Sequence, residues 1–377
     1  MSRISKLNRT RLFSLTFTAF LVIFAVAVPW TSDQPRAATN VEVSVDQFAR
    51  YVGEWSEEEG YFDSDNFISN ETSYLHVVDQ LQKLKPGGVY LGVGPDQNFS
   101  YIVHMQPALA IVTDIRRQNM IEHLWYKALF AMASNRLDYV SLMVSRETPR
   151  IRPDSSLDQI LRAVAASPTS AALFEKNLAL VKSVLLEKSR LKLSAKDLSR
   201  IDYVYRTFWR EGVNLRFSSI GRNNALEYPT LEDMLLETDR QGRQQSYVSS
   251  EELFQQLKRF QSENRLIPIV GDFTGAHALK SVAGFLKANG LRVSTFYTSN
   301  VEFYLFDGSG WPRFVSNVRA LPLADDAIFV RSYFGNWRPH PLNMRGHRST
   351  SLTKPMNPFL ADYDARRLDE YWDIVKP

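Results

Sequence analysis

Cysteine is absent from the 377 residues of the chain, so disulfide bonds, a thiolate nucleophile and a cysteine metal site are excluded. The sequence also lacks the G-x-S-x-G motif with which α/β hydrolases hold a nucleophilic serine. Its six histidines show neither H-E-x-x-H nor another paired spacing, and we therefore predict no metal site. The absence of these features removes three kinds of site and assigns no activity to the chain.

The excess of positive charge is confined to the N-terminus. The formal net charge is +4, and Arg3, Lys6, Arg9 and Arg11 supply four positive charges within residues 1–30, which contain no Asp or Glu. Without these four, the basic residues equal the 41 acidic ones, so the body of the chain is neutral. We therefore expect no nucleic-acid partner.

An apolar run from Leu12 to Trp30 follows this basic segment. Its length is close to the ~20 residues that span a bilayer, and the small residues Ala25 to Ala27 fit a cleavage site. Residues 1–30 are thus a signal peptide or a membrane anchor, and both interpretations stay open. Because the basic flank favours the cytoplasmic side, we expect an exported or single-pass, membrane-anchored protein of the cell envelope, which contacts the membrane through residues 12–30 if they are uncleaved.

The rest of the chain is predicted to form a linker and one large α/β domain. Residues 31–59 form a polar linker and N-terminal extension, and residues 60–377 alternate apolar strands with helices, which is typical of a parallel sheet. Residues 146–200 instead show Ser-capped polar helices, so we predict a helical insertion there. The pattern then predicts a strand at residues 213–220 and a loop-rich tail at residues 338–358.

The segment "GGVYLGVGPDQNFSYIVHMQPALAIVTDIRRQN" has the order strand, glycine turn, helix, strand, acid. Gly92 and Gly94 precede a helix N-terminus, and Asp114 ends the second strand, where an acid accepts hydrogen bonds from a ribose diol. The third glycine of G-x-G-x-x-G is replaced by Gln97, and Asp96 puts a negative charge where a pyrophosphate would lie. This argues against NAD or FAD, whereas adenosylmethionine carries no phosphate.

A structural interpretation of the same segment stays open. The glycines would then serve a tight turn, and Asp114 would pair with Arg116 or Arg117.

Four segments carry a resemblance to a known family: "FDSDNFISNETSYLHVV", the glycine segment, "VGDFTGAHAL" and "FYTSNVEFYLF". They resemble an uncharacterised family of bacterial proteins with a class I methyltransferase-like Rossmann core. The resemblance implies a Rossmann-like α/β three-layer sandwich with S-adenosylmethionine as the candidate cofactor. It further implies that Gly92 and Gly94 line the cofactor loop, that Asp114 faces the ribose, and that Asp272 lies at the carboxyl edge of the sheet.

Two polar clusters follow predicted strands or precede helices. Ligands of open α/β sheets bind at the carboxyl ends of strands, so we expect these clusters to form a substrate pocket. Local turn and cap chemistry is the alternative. The candidate residues are Asn70, Glu71 and Tyr74 in the first cluster, and Tyr297, Asn300 and Glu302 in the second.

These observations support two functional hypotheses. The first is a methyltransferase-like domain that binds a small molecule or nucleoside at the sheet's carboxyl edge and transfers a methyl group if it is catalytic. Adenosylmethionine is made inside cells, so export would favour another ligand on the same fold. The second is a non-catalytic envelope scaffold or interaction protein that keeps only the fold.

Overall fold

A computed structural model describes residues 41–219, 227–306, 308–335 and 338–377. The predicted signal or anchor segment at residues 1–30 lies outside these ranges. Within them, no helix has both the length and the apolar character needed to cross a membrane.

One six-stranded sheet organises the described residues. Its spatial order is β3-β2-β1-β4-β5-β6, in which all neighbours are parallel except β6, which runs antiparallel to β5. The predicted α/β class with a mostly parallel sheet is thus confirmed. The strands are β1 Val89–Gly92, β2 Leu109–Asp114, β3 Leu266–Val270, β4 Val293–Ser299, β5 Leu323–Tyr333 and β6 Thr350–Pro355.

The first three strands are continuous apolar runs because neighbouring structure covers them completely. Every residue of β1, β2 and β3 is buried, as expected for strands of a parallel sheet. Pro268 lies inside β3 opposite Val112 of β2. A proline has no N–H to donate, and β3 tolerates it because this strand forms the edge of the sheet.

Helices connect the parallel strands, and several begin at the side-chain caps that the sequence indicates. Ser44, Ser156, Ser194 and Thr230 each form a capping box with the residue three positions on. The helices are α1 Val45–Glu54, α2 Val78–Leu81, α3 Gln97–Met105, α4 Arg117–Met132, α5 Arg136–Met143, α6 Leu157–Ala166, α7 Ala171–Ser183, α8 Ala195–Glu211, α9 Leu231–Leu236, α10 Glu251–Ser262, α11 Ala278–Ala288, α12 Val301–Leu305, α13 Gly310–Ala320, α14 Met356–Asp364 and α15 Tyr371–Val375.

The chain between β2 and β3 is long and helical. It runs from α4 to α10, and residues 146–200 contain α6, α7 and the start of α8 without a strand. Trp125 of α4 packs on Tyr205 and Phe208 of α8, with ring centroids 5.4 and 4.5 Å apart. This aromatic contact ties the helical segment to the helix that follows β2.

Two local predictions were wrong. The strand predicted at 213–220 is a 3-10 turn at Gly212–Asn214 followed by an isolated bridge at Arg216. Phe217 there packs on the Tyr228 ring at 4.9 Å, so its apolar side chain is buried outside the sheet. The tail predicted as loop holds β6, which forms only through its long-range pairing with β5.

Candidate functional site

A cavity of about 810 Å³ opens at the carboxyl ends of the parallel strands. The residue segments that follow five strands line it: Gly94 after β1, Ile115 after β2, Asp272 after β3, Asn300 after β4 and Phe334 after β5. The strand order reverses between β1 and β4, at the centre of this edge. Open α/β sheets bind ligands at such a switch point.

The turn after β1 requires glycine at position 94. Gly94 has a φ of +78°, in the left-handed region that side chains disfavour. Its carbonyl oxygen lies 2.8 Å from Nε2 of the buried His123. Burial lowers the pKa of His123 to about 4, so the ring is neutral near pH 7 and Nε2–H donates to this carbonyl. His123 of α4 therefore holds this turn in place through a hydrogen bond.

Gly92 serves the packing of the turn and does not line the cavity. A Cβ at this position would overlap Oδ1 of Asn98 and the Tyr90 ring. The Asn98 Nδ2 donates to the carbonyls of Val93, Gly94 and Pro95 at 2.9, 3.1 and 2.7 Å. The close approach of Asn98 thus explains this glycine without a ligand.

Asp114 lies at the end of β2, lines the cavity and is paired with Arg116. Its Oδ1 accepts from the Arg116 backbone N and Nε, each at 2.9 Å, and its Oδ2 accepts from Nη2 at 2.7 Å. Burial alone would lower the pKa of Arg116, but the charge and hydrogen bonds of Asp114 outweigh it and raise that pKa. Arg117 pairs with Asp197 instead. The geometry leaves one acceptor position on Asp114 Oδ2.

Asp272 also lines the cavity, directly after β3. Its Oδ1 accepts from the Thr274 backbone N at 2.7 Å, and its own backbone N donates to Glu57 Oε1 at 2.6 Å. The first bond closes a local turn, and the second joins this turn to Glu57, far away in sequence.

Glu71 is the most deeply buried of the lining acids, with 2% of its surface exposed. The Tyr297 hydroxyl donates to its Oε2 at 2.8 Å, Ser332 Oγ donates to the same oxygen, and Ser299 Oγ donates to Oε1. Gln97 Nε2 in turn donates to the Tyr297 hydroxyl at 2.9 Å. Burial raises the pKa of Glu71 more than these hydroxyls lower it. A buried carboxyl with a raised pKa is a candidate for proton transfer at a site.

The other predicted substrate residues divide between the cavity and the core. Asn70 and Asn300 line the cavity. Tyr74 does not, because its hydroxyl donates to the Met234 carbonyl at 3.0 Å, and Tyr297 lies behind Glu71. Glu302 is likewise placed away from it, in an ion pair with Arg331. The expectation that all six share one pocket is corrected accordingly.

The Glu302–Arg331 pair explains why this glutamate belongs to the core. Arg331 Nε and Nη2 donate to its two oxygens at 2.6 and 2.8 Å, and the side chains are 0% and 1% exposed. The Thr298 hydroxyl donates to Oε2 at 2.9 Å. A buried cation and a hydroxyl thus hold this carboxylate within the core.

Four aromatic residues that the sequence did not single out form one side of the cavity, here called the aromatic wall: Phe303, Tyr333, Tyr371 and Trp372. Ring centroids are 5.4 Å apart for Phe303–Tyr371, 6.2 Å for Tyr333–Tyr371 and 5.4 Å for Tyr333–Trp372. The aromatic runs "VEFYLF" and "DEYWD" were the available signal, but only the fold brings them together. The sequence did not indicate Ser332 either, because only the fold brings its hydroxyl to Glu71.

The remaining cationic groups of the lining are also paired. Arg338 bonds to Glu370 at 3.1 Å, with its guanidinium carbon 4.0 Å from the Trp372 ring centre. Arg348 bonds to Glu227 at 3.2 Å. No group of three or more His, Asp or Glu suited to a metal ion occurs among the residues that the structure describes. The lining is thus an aromatic and carboxylate surface with neutralised arginines.

Comparison with known proteins gives a family. No curated protein matches the chain. A family model described as a domain of unknown function, DUF7790, matches residues 66–370, and the chain therefore belongs to this family.

Proposed function

We propose that the chain binds a small organic molecule or nucleoside in the cavity at the carboxyl edge of its sheet, as a methyltransferase-like protein whose first candidate ligand is S-adenosylmethionine. The observation that carries the proposal is the cavity itself, which joins the segments after five strands. Its volume falls in the range of ~300–1,000 Å³ that small-molecule sites occupy.

The topology supports the methyltransferase-type interpretation of the fold. Strands β3-β2-β1-β4-β5 have the order of a Rossmann-like sheet, and an antiparallel strand follows β5. Doubly wound folds often carry an antiparallel edge strand on an otherwise parallel sheet, so this topology is compatible with the methyltransferase-like core that the sequence resemblance implies. We infer that the domain is a three-layer sandwich of this type.

The turn after β1 fits an uncharged cofactor group better than a phosphate. Asp96 is buried there, burial raises its pKa to about 6, and its Oδ2 accepts from the Tyr247 hydroxyl at 3.1 Å. A carboxyl that is largely ionised near pH 7 repels a pyrophosphate. Gly94 and Asp114 would hold the adenosyl group, and the sulfonium of adenosylmethionine would supply the methyl group when that cofactor is bound. The chain's own contribution would be binding and the exclusion of water.

Location decides which ligand reaches the site. We propose that residues 1–30 carry the domain into the cell envelope, attached to the membrane through residues 12–30 unless they are cleaved. In that compartment, a small molecule other than adenosylmethionine would be the physiological partner, and the adenosyl compounds would serve as probes of the fold's binding capacity.

Calorimetric titration of the full-length chain in mild detergent tests the proposal. Adenosylmethionine, adenosylhomocysteine and NAD are titrated separately. We expect heat of binding with at least one adenosyl compound and none with NAD. Gly94→Val introduces a branched side chain at a positive φ beside the cavity and should abolish that heat. A wild-type chain without affinity for either adenosyl compound would remove adenosylmethionine from the proposal.

The scaffold hypothesis has its own supporting observation. Arg116 occupies Asp114, and Asn98 explains Gly92, so both parts of the sequence motif have structural partners. A scaffold would show no saturable small-molecule binding at all. The same titration, extended to the cationic probes below, separates the two functions.

A further inference from the structure

The charged groups that line the cavity leave two carboxylates without a cation. Arg116, Arg338 and Arg348 each form an ion pair with a carboxylate. Glu71 and Asp272 also line the cavity, and no Lys or Arg nitrogen among the described residues lies within 4 Å of either. The cavity therefore favours a ligand that carries positive charge.

Glu71 is the better partner for that charge because unfilled acceptors meet around it. An ionised carboxylate offers about four acceptor positions, and the hydroxyls of Tyr297, Ser299 and Ser332 fill three. Gln97 lines the cavity too, and its buried Oε1 has no hydrogen-bond partner among the described residues, while its Nε2 bonds to Tyr297. Glu71 and Gln97 both bond to Tyr297, and each keeps an acceptor position that an N–H group of a ligand would fill.

The aromatic wall supplies the second half of a cation site. Glu71 and the wall line the same cavity. Burial raises the pKa of Tyr371, and the charges of Glu302 and Glu71 raise it further, so Glu71 lies near the Tyr371 end of the wall. The Tyr371 hydroxyl, another buried polar atom of the lining, has no partner within the described part of the chain. Aromatic faces attract organic cations by their quadrupoles. Carboxylate, amide oxygen and aromatic rings together match a protonated amine with an apolar body.

We propose that Glu71 and Gln97 bind the ammonium group of an organic amine, whose apolar part packs on the aromatic wall. This assignment rests on the proposed function, because it names the substrate class of the same cavity. Binding of a cation favours the ionised form of Glu71, whose pKa burial raises in the free protein. Association therefore strengthens as the pH rises through the pKa of this carboxyl, and it releases protons wherever the free carboxyl is protonated.

Three probes of similar size test the chemistry on the full-length chain. Benzylamine has a cationic N–H donor, benzyl alcohol is neutral, and benzyltrimethylammonium is cationic without N–H. Calorimetry or ligand-observed NMR gives each Kd, and two buffers of different ionisation enthalpy give the protons released. We expect benzylamine to bind at least tenfold more tightly than benzyl alcohol, with benzyltrimethylammonium between them.

Two isosteric variants locate the charge. Glu71→Gln should reduce benzylamine affinity about tenfold and abolish proton release, while leaving benzyl alcohol unchanged. Asp272→Asn removes a carboxylate charge at the residue that follows β3. Three strand spacings separate β3 from β4, whose Tyr297 and Ser299 bond to Glu71. Asp272 therefore lies about 14 Å from Glu71. An ammonium group bound at Glu71 cannot contact Asp272 across that distance, so the loss of affinity in Asp272→Asn should stay below threefold.

The outcomes separate this inference from the proposed function. Equal affinity for benzylamine and benzyl alcohol would overturn the amine assignment, and so would equal losses in the two variants. Binding of an adenosyl compound could still stand in either case. If neither the probes nor the adenosyl compounds bind, both proposals fail. Denaturation curves for each variant confirm that a lost affinity does not reflect a lost fold.

Discussion

Asp114→Asn is the substitution that best distinguishes a buried structural pair from a ligand contact. The amide keeps the volume of the carboxylate but removes its charge. In the native structure three Arg116 donors reach the carboxylate, at 2.7 to 2.9 Å. The side chains are 6% and 9% exposed. The pair is therefore largely removed from water.

The magnitude follows from what the substitution leaves behind. Breaking a buried ion pair costs about 3–5 kcal/mol because the remaining charge is uncompensated. Arg116 Nη1 still donates to the carbonyls of Ser64 and Asp65, at 3.1 and 2.6 Å. The amide also keeps one acceptor oxygen. We therefore expect a loss of about 3 kcal/mol, at the lower end of this range.

Urea denaturation of the full-length chain measures this loss against a matched control. Asp202 pairs with Arg206 at 2.9 Å, and both side chains are about one-third exposed. Asp202→Asn should cost only about 0–1 kcal/mol. The double variant Asp114→Asn with Arg116→Met should recover part of the loss, because it removes the uncompensated charge. A loss below 1 kcal/mol for Asp114→Asn alone would refute the assignment of a buried, desolvated pair.

The same variant reports on the ligand. Asp114 Oδ2 accepts one hydrogen bond and retains room for a ribose hydroxyl. Loss of a charge-assisted bond costs about 1.5–3 kcal/mol, which is a tenfold to hundredfold loss of affinity. If an adenosyl compound binds the wild type and the variant equally, Asp114 acts only through Arg116.

Three further predictions follow. Burial lowers the pKa of Lys127 to about 7, so the folded state binds fewer protons than the unfolded one. Lys127→Met should stabilise the fold by about 1–4 kcal/mol near pH 7, because the penalty of that shift exceeds the loss of the hydrogen bond from Nζ to the Gln261 carbonyl. Wild-type stability should rise from pH 7 toward 10.5, and the variant should lack that rise. Gly94→Ala should cost about 1–2 kcal/mol at its positive φ, whereas Gly53→Ala in α1, with open space around it, should be neutral or stabilising in the same assay. A reporter active only in the cytoplasm and fused after Pro377 should stay silent if residues 1–30 direct export, and strong activity would reverse that topology.

The parts of the fold that sequence predicts are those fixed by neighbouring residues. The segment from β1 through α3 to β2 was predictable because Gly94 marks the turn and Asp114 ends an apolar run. β6 was not, since its register is set by β5 and by the Ser73 hydroxyl, which accepts from the Ser351 backbone N at 2.9 Å. Those contacts lie far away in sequence, and no local pattern reports them.

The residues of the candidate site also divide into those that the local sequence indicates and those that only the fold brings together. The rule that ligands bind at the carboxyl ends of strands placed Gly94, Asp272 and Asn300 at the cavity. It could not tell which side chains turn toward that cavity. Ser332 bonds to Glu71 although 261 residues separate them, and such a contact exists only once the sheet has formed.

Glu71 and Glu302 show why partners rather than residue type assign a role. Both glutamates are buried at the end of the sheet where β4 and β5 lie. Arg331 neutralises Glu302 with two short hydrogen bonds, so that carboxylate is held as part of the core. Among the residues that the structure describes, Glu71 receives hydrogen bonds only from neutral hydroxyls, and it lines the cavity. Burying an ionised carboxylate without a cation is costly, and groups perturbed in this way cluster at functional sites. Because the described part of the chain supplies Arg331 to Glu302 and no such partner to Glu71, we expect the cation that pairs with Glu71 to come from the ligand.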